Sequence, residues 1–140
     1  MSVVVSYYGN IESDAALSEA IAQASARNTS LLVVLDSNSS GSQQLNAEGD
    51  QPLSRDEVED RLWDALRGVA LDVDVRRPTA GASMAETVLR VAERSSAQLI
   101  VLGLRPGGFA GTHIGPTAAQ ILLDAPCPVV TTTTHLRRDK

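Results

Sequence analysis

A glycine-rich stretch in the last third of the chain has the composition of an anion-binding loop. It follows a short apolar run, residues 99–102, with the character of a buried parallel strand. Because glycine tolerates positive φ and has no Cβ, such a loop can lay its backbone N–H groups against an anion. A helix is predicted directly afterwards, over residues 117–123, and helix N-termini attract phosphate. The sequence therefore predicts a phosphate-binding loop whose glycines are Gly103, Gly107, Gly108, Gly111 and Gly115.

Several segments of this region resemble the C-terminal signature of the universal stress protein family. The resemblance rests on residues 115–117 (GPT), 119–122 (AQIL) and 125–130 (APCPVV), and it extends over nearly the whole chain. It implies a three-layer α/β/α domain of the flavodoxin-like type, also described as adenine nucleotide alpha hydrolase-like. It further implies a stress-response protein that binds ATP or AMP, with Mg²⁺ accompanying the nucleotide.

The glycine motif of that family is only partly present. Nucleotide-binding members carry glycine, two residues, glycine, nine residues, glycine, and then serine or threonine. Laid on this sequence without gaps, the motif falls on Gly103, Pro106, Pro116 and Thr117, so only the first and last positions match. Proline has no backbone N–H, and two phosphate donors are therefore missing. Pro116 still suits the first residue of a helix, and a glycine adjoins each lost position. The loop is either a shifted nucleotide cradle or a simple connection between strand and helix.

The ends of the first two predicted strands supply the remaining candidates. Universal stress proteins often place an aspartate after the first strand to help hold the adenosine, and the matching residue here is Tyr8. Tyrosine can stack on a base or donate one hydrogen bond, but it does not replace a carboxylate. Asp36 ends the second strand, where an acid can bind a ribose hydroxyl. The alternative is structural, with one of Tyr7 and Tyr8 packed inward and Asp36 an ordinary polar residue at a strand end. The predicted nucleotide site comprises Tyr7, Tyr8, Gly9, Leu35, Asp36, Gly103, Arg105, Gly107, Gly111, Gly115 and Thr117.

The patterns of several enzyme classes do not occur. No Ser-His-Asp order, metal-ligand cluster or paired carboxylate motif stands out in the sequence. Both GxxxxGK[ST] and GxGxxG are missing, which argues against efficient phosphoryl transfer and against a dehydrogenase. His113 lies in the glycine-rich loop, where it is either an acid–base group or an ordinary surface histidine. We expect a protein that is not an enzyme, with slow ATP hydrolysis at most, no catalytic residue and no metal ligand.

The composition restricts the partners and the compartment. The chain has 140 residues and a net charge of −5, so electrostatics favour neither nucleic acid nor an anionic membrane. No apolar run has the length of a membrane span. Cys127 is the single cysteine and is interpreted as structural, because one thiol forms no internal disulfide. These features predict a cytoplasmic protein.

The predicted elements alternate strand and helix. Three of the strands are apolar throughout and therefore central, whereas the third strand alternates and belongs at an edge. A five-stranded parallel sheet of order 3-2-1-4-5 meets these demands, and the family resemblance implies the same order. The order reverses between strands one and four, so a ligand crevice is predicted there. The strands are predicted over residues 2–7, 31–35, 69–76, 99–102 and 129–134, with Gly103 ending the fourth, and the helices begin at Ser13, Ser54, Ser83 and near Thr117. Glutamates three residues after Ser54 and Ser83 predict capping boxes at those two helix starts. Trp63 is expected to pack beside the apolar stripe of the second helix.

The whole chain, residues 1–140, is predicted to form one domain with a mobile loop at 37–53 and a flexible tail at 135–140. The last strand, from Val129 to Thr134, leaves an open edge that invites pairing. Universal stress proteins commonly dimerise through this strand, and we expect a homodimer here, with a regulatory protein partner of unknown identity. Two functions stay open: a stress-response protein that binds ATP or AMP, and a nucleotide-free member that acts as a dimeric interaction or regulatory module.

Overall fold

The computed structural model describes residues 1–36, 54–104 and 115–133. Over these ranges the chain alternates strand and helix. The predicted mobile loop, the predicted tail and most of the glycine-rich loop lie outside the described residues, so those predictions stay predictions. The elements are β1 (Ser2–Tyr7), α1 (Ile11–Arg27), β2 (Ser30–Leu35), α2 (Arg55–Leu66), β3 (Val73–Arg76), α3 (Met84–Arg94), β4 (Ala97–Leu104), α4 (Pro116–Asp124) and β5 (Val129–Thr133).

The five strands form one parallel sheet in the order β3-β2-β1-β4-β5. β1 lies at the centre, where Val4 is in register with Leu32 on one side and with Ile100 on the other. Helices cover both faces of the central strands, which explains why the middle residues of these strands are apolar on both faces. The order predicted from the sequence is confirmed.

Each face of the sheet has its own core, because successive strand residues point to opposite sides. Val3, Val5 and Tyr7 of β1 pack beneath α1 and α2. Val4 packs on the other face with Ile100, beneath α3 and α4. All five side chains have no exposed surface. Tyr7 is therefore the tyrosine that packs inward, and it lies at the end of β1 that faces the predicted crevice.

The predicted capping boxes of α2 and α3 are both present. The Ser54 hydroxyl accepts the Glu57 N–H at 3.1 Å, and the Glu57 carboxylate accepts the Ser54 N–H at 2.8 Å. Ser83 and Glu86 make the same reciprocal pair at 3.0 and 3.1 Å. Each box satisfies backbone donors that the first turn of a helix leaves without an intrahelical partner.

The start of α1 differs from the prediction. Asn10, and not Ser13, is the N-cap, because the Asn10 side-chain oxygen accepts the Ser13 N–H at 2.8 Å. The Ser13 hydroxyl instead accepts the Tyr8 N–H, also at 2.8 Å. The helix consequently begins at Ile11, close to the end of β1.

Two strands and one side chain also differ from their predictions. β4 continues through Gly103, where a break was predicted, because a glycine is tolerated in a strand that another backbone approaches closely. β3 is limited to Val73–Arg76 and does not begin at residue 69. Trp63, predicted to pack beside the apolar stripe of α2, is 47% exposed. None of the helices in the described ranges is long and apolar enough to cross a membrane.

Candidate functional site

The candidate site lies at the carboxyl ends of β1 and β4. These neighbouring strands pair in parallel, so both chains leave the sheet at the same edge. After β1 the chain turns into α1, which packs on one face, and after β4 it enters α4, which packs on the other. The helices that follow β1 and β4 thus lie on opposite faces of the sheet, and in open parallel sheets such a reversal is where a ligand crevice is expected.

The turn from β1 to α1 forms one wall, and three of its backbone N–H groups have partners within the protein. The Tyr8 N–H donates to the Ser13 hydroxyl, the Ser13 N–H to the Asn10 side chain, and the Asp14 N–H to the Asn10 carbonyl at 2.9 Å. Two acidic residues, Glu12 and Asp14, occupy the first turn of α1. This helix start is capped and negatively charged, so it is unsuited to an anion.

A partly buried hydrogen-bond network lies behind that wall. The Tyr7 hydroxyl donates to Asp14 Oδ1 at 2.6 Å, and the Arg61 guanidinium of α2 binds the same carboxylate through Nε, at 3.1 Å from Oδ2, and through Nη2. Burial, and then the hydrogen bond to Asp14, raise the pKa of Tyr7 far above its ordinary value. The hydrogen bond to Asp14 also raises the pKa of Arg61. Tyr7 is thus a neutral donor and is not available to a ligand.

Tyr8 and Asp36 lie together at the ends of β1 and β2. The Asp36 N–H donates to the Tyr7 carbonyl at 3.0 Å, which continues the strand pairing by one residue. Burial raises the pKa of the Tyr8 phenol, and the nearby Asp36 charge raises it further, while a hydrogen bond with Ser6 acts in the opposite direction. Tyr8 is therefore a neutral phenol with a carboxylate beside it.

Gly9 and Gly103 serve close packing. Gly9 has φ +81°, and a Cβ built on it would lie 2.9 Å from a methyl carbon of Val58. A Cβ on Gly103 would lie 2.7 Å from the carbonyl carbon of Glu12, and closer still to its oxygen. The first glycine of the family motif thus allows the first turn of α1 to approach β4.

The start of α4 forms the opposite wall and differs from the other helix starts. Gly115 is its N-cap, Pro116 is its first residue, and the first turn holds no acid. Among the described residues, no side chain caps this turn. The Ala119 N–H bonds the Gly115 carbonyl at 3.0 Å and so begins the helical ladder. The N–H groups of Thr117 and Ala118, which precede that bond, belong to the set that a helix cannot satisfy by itself.

The structure brings most of the predicted residues to one edge. Tyr7, Tyr8 and Gly9 end β1, Leu35 and Asp36 end β2, and Gly103 is in the last part of β4. Leu35 is in register with Tyr7, and its side chain is buried in the core, so only its backbone faces the edge. Gly115 and Thr117 begin α4. Arg105, Gly107 and Gly111 lie outside the described residues, as do Pro106 and His113.

Sequence reasoning missed Asn10, Asp14 and Arg61. Asn10 carries a local signal, because asparagine is a favoured N-cap residue, but Ser13 carries the same signal three positions later. The pairing of Asp14 with Arg61 joins residues 47 positions apart on separate helices. No local pattern predicts such a contact, since it depends on how the helices pack.

The edge of the sheet at the amino ends of the strands is a weaker candidate for a ligand site. A shallow polar depression lies at the amino ends of the strands, lined by Asn28, Thr29, Ser30, Ala70, Leu71 and Asp72. We assign the site to the opposite edge, because the helix N-termini and the reversal of strand order lie there. Within residues 1–36, 54–104 and 115–133, no group of three or more His, Cys, Asp or Glu could hold a metal ion.

Comparisons with known proteins agree with this architecture. A search of curated proteins gives no significant match. Among solved structures, a universal stress protein family member from Burkholderia pseudomallei is 24% identical, with 93% of each chain covered and a TM-score of 0.64. A universal stress protein from Archaeoglobus fulgidus, in complex with dAMP, is 19% identical over 94% of this chain and 96% of its own, with a TM-score of 0.66. An Arabidopsis thaliana family protein with AMP bound is 17% identical over 96% and 92%, with a TM-score of 0.61.

At these identities the solved structures establish the fold alone, and membership of the family rests on the match to its sequence model. The model of the universal stress protein family matches residues 1–132. That range holds all nine elements of the described structure apart from the last residue of β5. It also holds the crevice between β1 and β4 and both helix starts that flank it. This chain belongs to the universal stress protein family.

Proposed function

We propose that this chain binds an adenine nucleotide, with AMP as the simplest ligand, in the crevice between β1 and β4. The phosphate would lie at the start of α4, and the adenosine would extend toward the ends of β1 and β2. Binding would serve a role in the response to stress, as family membership suggests, without turnover of the nucleotide. ATP, with its own Mg²⁺, is the larger ligand predicted from the sequence.

The observation that carries this proposal is the contrast among the helix starts at the crevice edge. The starts of α1, α2 and α3 are each capped by a side chain and carry an acid in the first turn. The start of α4 has neither among the described residues. A helix N-terminus carries about half a positive charge, and only an uncapped one can turn its N–H groups to a bound phosphate.

The structures of relatives support the choice of ligand. The Archaeoglobus fulgidus protein is described in complex with dAMP, and the Arabidopsis thaliana protein with AMP bound. In this chain Tyr8 and Asp36 stand at the strand ends where the nucleoside would lie. Tyr8 offers a ring for stacking and one hydroxyl donor, and Asp36 offers oxygens that accept from ribose hydroxyls. The pair would replace the aspartate that other members place after the first strand.

A single added charge tests the proposal. Gly115→Asp puts a carboxylate at the cap of α4, where it would compete for the N–H groups and repel phosphate. We expect the Kd for AMP, measured by isothermal titration calorimetry, to rise at least about tenfold. Gln120→Glu is the matched control, because it adds the same charge to an exposed position further along the same helix, and it should change the Kd less than about twofold.

Two results would contradict the proposal. One is a wild-type protein that binds no AMP or ATP and that releases no adenine nucleotide when the freshly purified protein is denatured. The other is a Gly115→Asp variant that binds AMP as tightly as the Gln120→Glu control does.

We also propose that two copies of the chain associate through β5. The two edge strands of the sheet differ: β3 exposes Asp74 and Arg76, which pair with each other at 2.8 Å, whereas β5 carries no charged residue. Val130 of β5 is half-buried and Thr131 is exposed. Charges on an edge strand discourage pairing with another chain, and β5 lacks that protection. Thr134, the last residue of the predicted strand, lies outside the described residues.

This association is independent of nucleotide and accommodates the second function predicted from the sequence, a nucleotide-free dimeric interaction module. Thr131→Lys should shift the protein from dimer to monomer in light scattering coupled to size exclusion, because it brings like charges together across the edge. Thr79→Lys places the same residue on the exposed turn after β3 and should leave the mass unchanged. A wild-type protein that is monomeric at all concentrations would exclude the interface.

A further inference from the structure

Helix α2 contacts the β1–α1 turn at two places, although it lies on the outer layer of the domain. Val58 lies against Gly9, so close that a Cβ on Gly9 would be 2.9 Å from a Val58 methyl carbon. Three residues later on α2, the Arg61 guanidinium binds the Asp14 carboxylate through two nitrogens. Positions three apart on a helix share one face. A single face of α2 therefore supports the turn both at its tip and at the first turn of α1.

The Asp14 carboxylate joins three elements at one point. It belongs to α1, accepts the Tyr7 hydroxyl from the end of β1 at 2.6 Å, and binds Arg61 from α2. Tyr7 is fully buried and directly precedes Tyr8, so its position sets that of Tyr8. A bidentate guanidinium–carboxylate pair restricts orientation as well as distance, because both groups are planar.

We infer that Arg61 is a positioning residue of the nucleotide site. It acts through other side chains: it holds Asp14, which holds Tyr7, and so it maintains the geometry of Tyr8 and of the β1–α1 wall. It also neutralises Asp14, an acid that would otherwise repel the phosphate of a ligand across the crevice. This inference rests on the proposed nucleotide binding, and it adds a residue that no glycine motif identifies.

The test compares AMP affinity at matched losses of stability. Arg61→Met keeps the aliphatic stem and removes the charge, and we expect the Kd for AMP to rise about tenfold, the size of a typical coupling between separate positions. Arg61→Lys keeps the charge without the two-point geometry and should recover part of the loss. Leu66→Ala is the control, because it removes a buried side chain from the last turn of α2, at the far end from Val58 and Gly9.

A purely structural role would make affinity follow stability. Arg61→Met and Leu66→Ala would then weaken AMP binding in proportion to the fall in Tm, and the inference would be overturned. It would also be overturned if Arg61→Met bound AMP as tightly as the wild type. The double variant Asp14→Asn with Arg61→Met separates the two contributions of Arg61. If Arg61 acts partly by neutralising Asp14, the double variant should bind AMP more tightly than Arg61→Met does. If Arg61 acts only by positioning Asp14, the double variant should bind AMP no more tightly than Arg61→Met.

These outcomes remain distinct from failure of the proposed function. If the wild type and every variant bind no nucleotide, the proposed function fails before Arg61 is tested. If the wild type binds AMP, the comparison of Arg61→Met with Leu66→Ala decides on Arg61 alone. Far-ultraviolet circular dichroism of each variant at the binding temperature confirms that the folded protein is being compared.

Discussion

Helices α1 and α4 begin on opposite sides of the same crevice, and their starts are built in opposite ways. The start of α1 has an asparagine cap, two acids in its first turn and a backbone pressed against β4 at Gly103. The start of α4 has a glycine cap, a proline and no acid. The start of α1 has a side-chain cap of its own, and the start of α4 has none among the described residues. A helix terminus is thus suited to phosphate by the absence of the caps that stabilise its neighbours.

The difference between the two helix starts also bears on the orientation of the proposed nucleotide. Phosphate at the α1 start would compete with the Asn10 cap and would face the Glu12 carboxylate, which is unfavourable even though Arg61 pairs with Asp14. Phosphate at the α4 start leaves the nucleoside to extend across β1 toward Asp36. Tyr8 lies on that path, at the end of β1. The asymmetry of the two helix starts therefore predicts one orientation for a bound nucleotide, and substitutions on each side of the site test it.

The largest effect is expected at the glycine where α1 meets β4. Gly103→Ala should destabilise the protein by about 3 kcal/mol, because the new methyl group meets the Glu12 backbone and neither β4 nor α1 can move away cheaply. Gly115→Ala should cost less than about 1 kcal/mol, since no atom of the described residues lies within 4 Å of its Cβ position and its φ of −74° suits any residue. Urea denaturation followed by circular dichroism measures both.

One result would contradict the predicted difference between the two glycines. If Gly103→Ala and Gly115→Ala lose similar free energy of unfolding, the close approach of α1 to β4 is not a constraint on the fold. The α1 side of the crevice would then be as loosely built as the α4 side, and the contrast between them would lose its physical basis.

A smaller effect is expected at high pH, on the α1 side alone. The folded protein raises the pKa of Tyr7 above the 10.0 of an unperturbed tyrosine, through burial and the bond to Asp14. Above pH 10 the unfolded chain loses this proton while the folded chain keeps it. The free energy of unfolding therefore falls as pH rises, by up to about 1.4 kcal/mol per pH unit for each such proton. Tyr8, whose pKa is also raised, adds a second contribution.

Spectrophotometric titration checks this directly, because the chain has only these two tyrosines. Tyrosinate absorbance should stay low above pH 10 until circular dichroism shows unfolding, and Tyr7→Phe should make stability fall less steeply with pH. Tyr8→Phe provides the corresponding measurement for the other phenol. Titration of a tyrosine in the folded protein near pH 10 would show that the network behind the α1 wall is open to water.

Much of the fold could be predicted from the sequence, because its signals are local and repeated. Unbroken apolar runs predicted central parallel strands, the alternating strand predicted an edge, and Ser54 and Ser83 with their glutamates predicted two helix starts. These features depend on spacing within a few residues. The sheet order then followed, since few arrangements bury every apolar strand.

The candidate site could be predicted only in outline. The glycines and strand ends indicated the right edge, but the role of Gly103 depends on where Glu12 lies, 91 positions earlier in the chain. The α1 cap was placed at Ser13, because Asn10 and Ser13 carry equivalent local signals and the tertiary position of Tyr8 decides between them. Arg61 offered no signal at all. Contacts between elements determine these roles, and a pattern within one element does not contain them.

The smallest effect is expected from exchanging the caps of the two helices. Asn10→Ala should cost about 1 kcal/mol, because the Ser13 N–H loses its acceptor in a partly buried turn. Gly115→Asn adds a capping side chain at the start of α4 and should gain a few tenths of a kcal/mol. Thermal denaturation of both variants beside the wild type measures the pair, and the two changes should have opposite signs. A loss of stability in Gly115→Asn would mean that the donors of α4 already have partners in the ligand-free chain, and the two helix starts would then be alike.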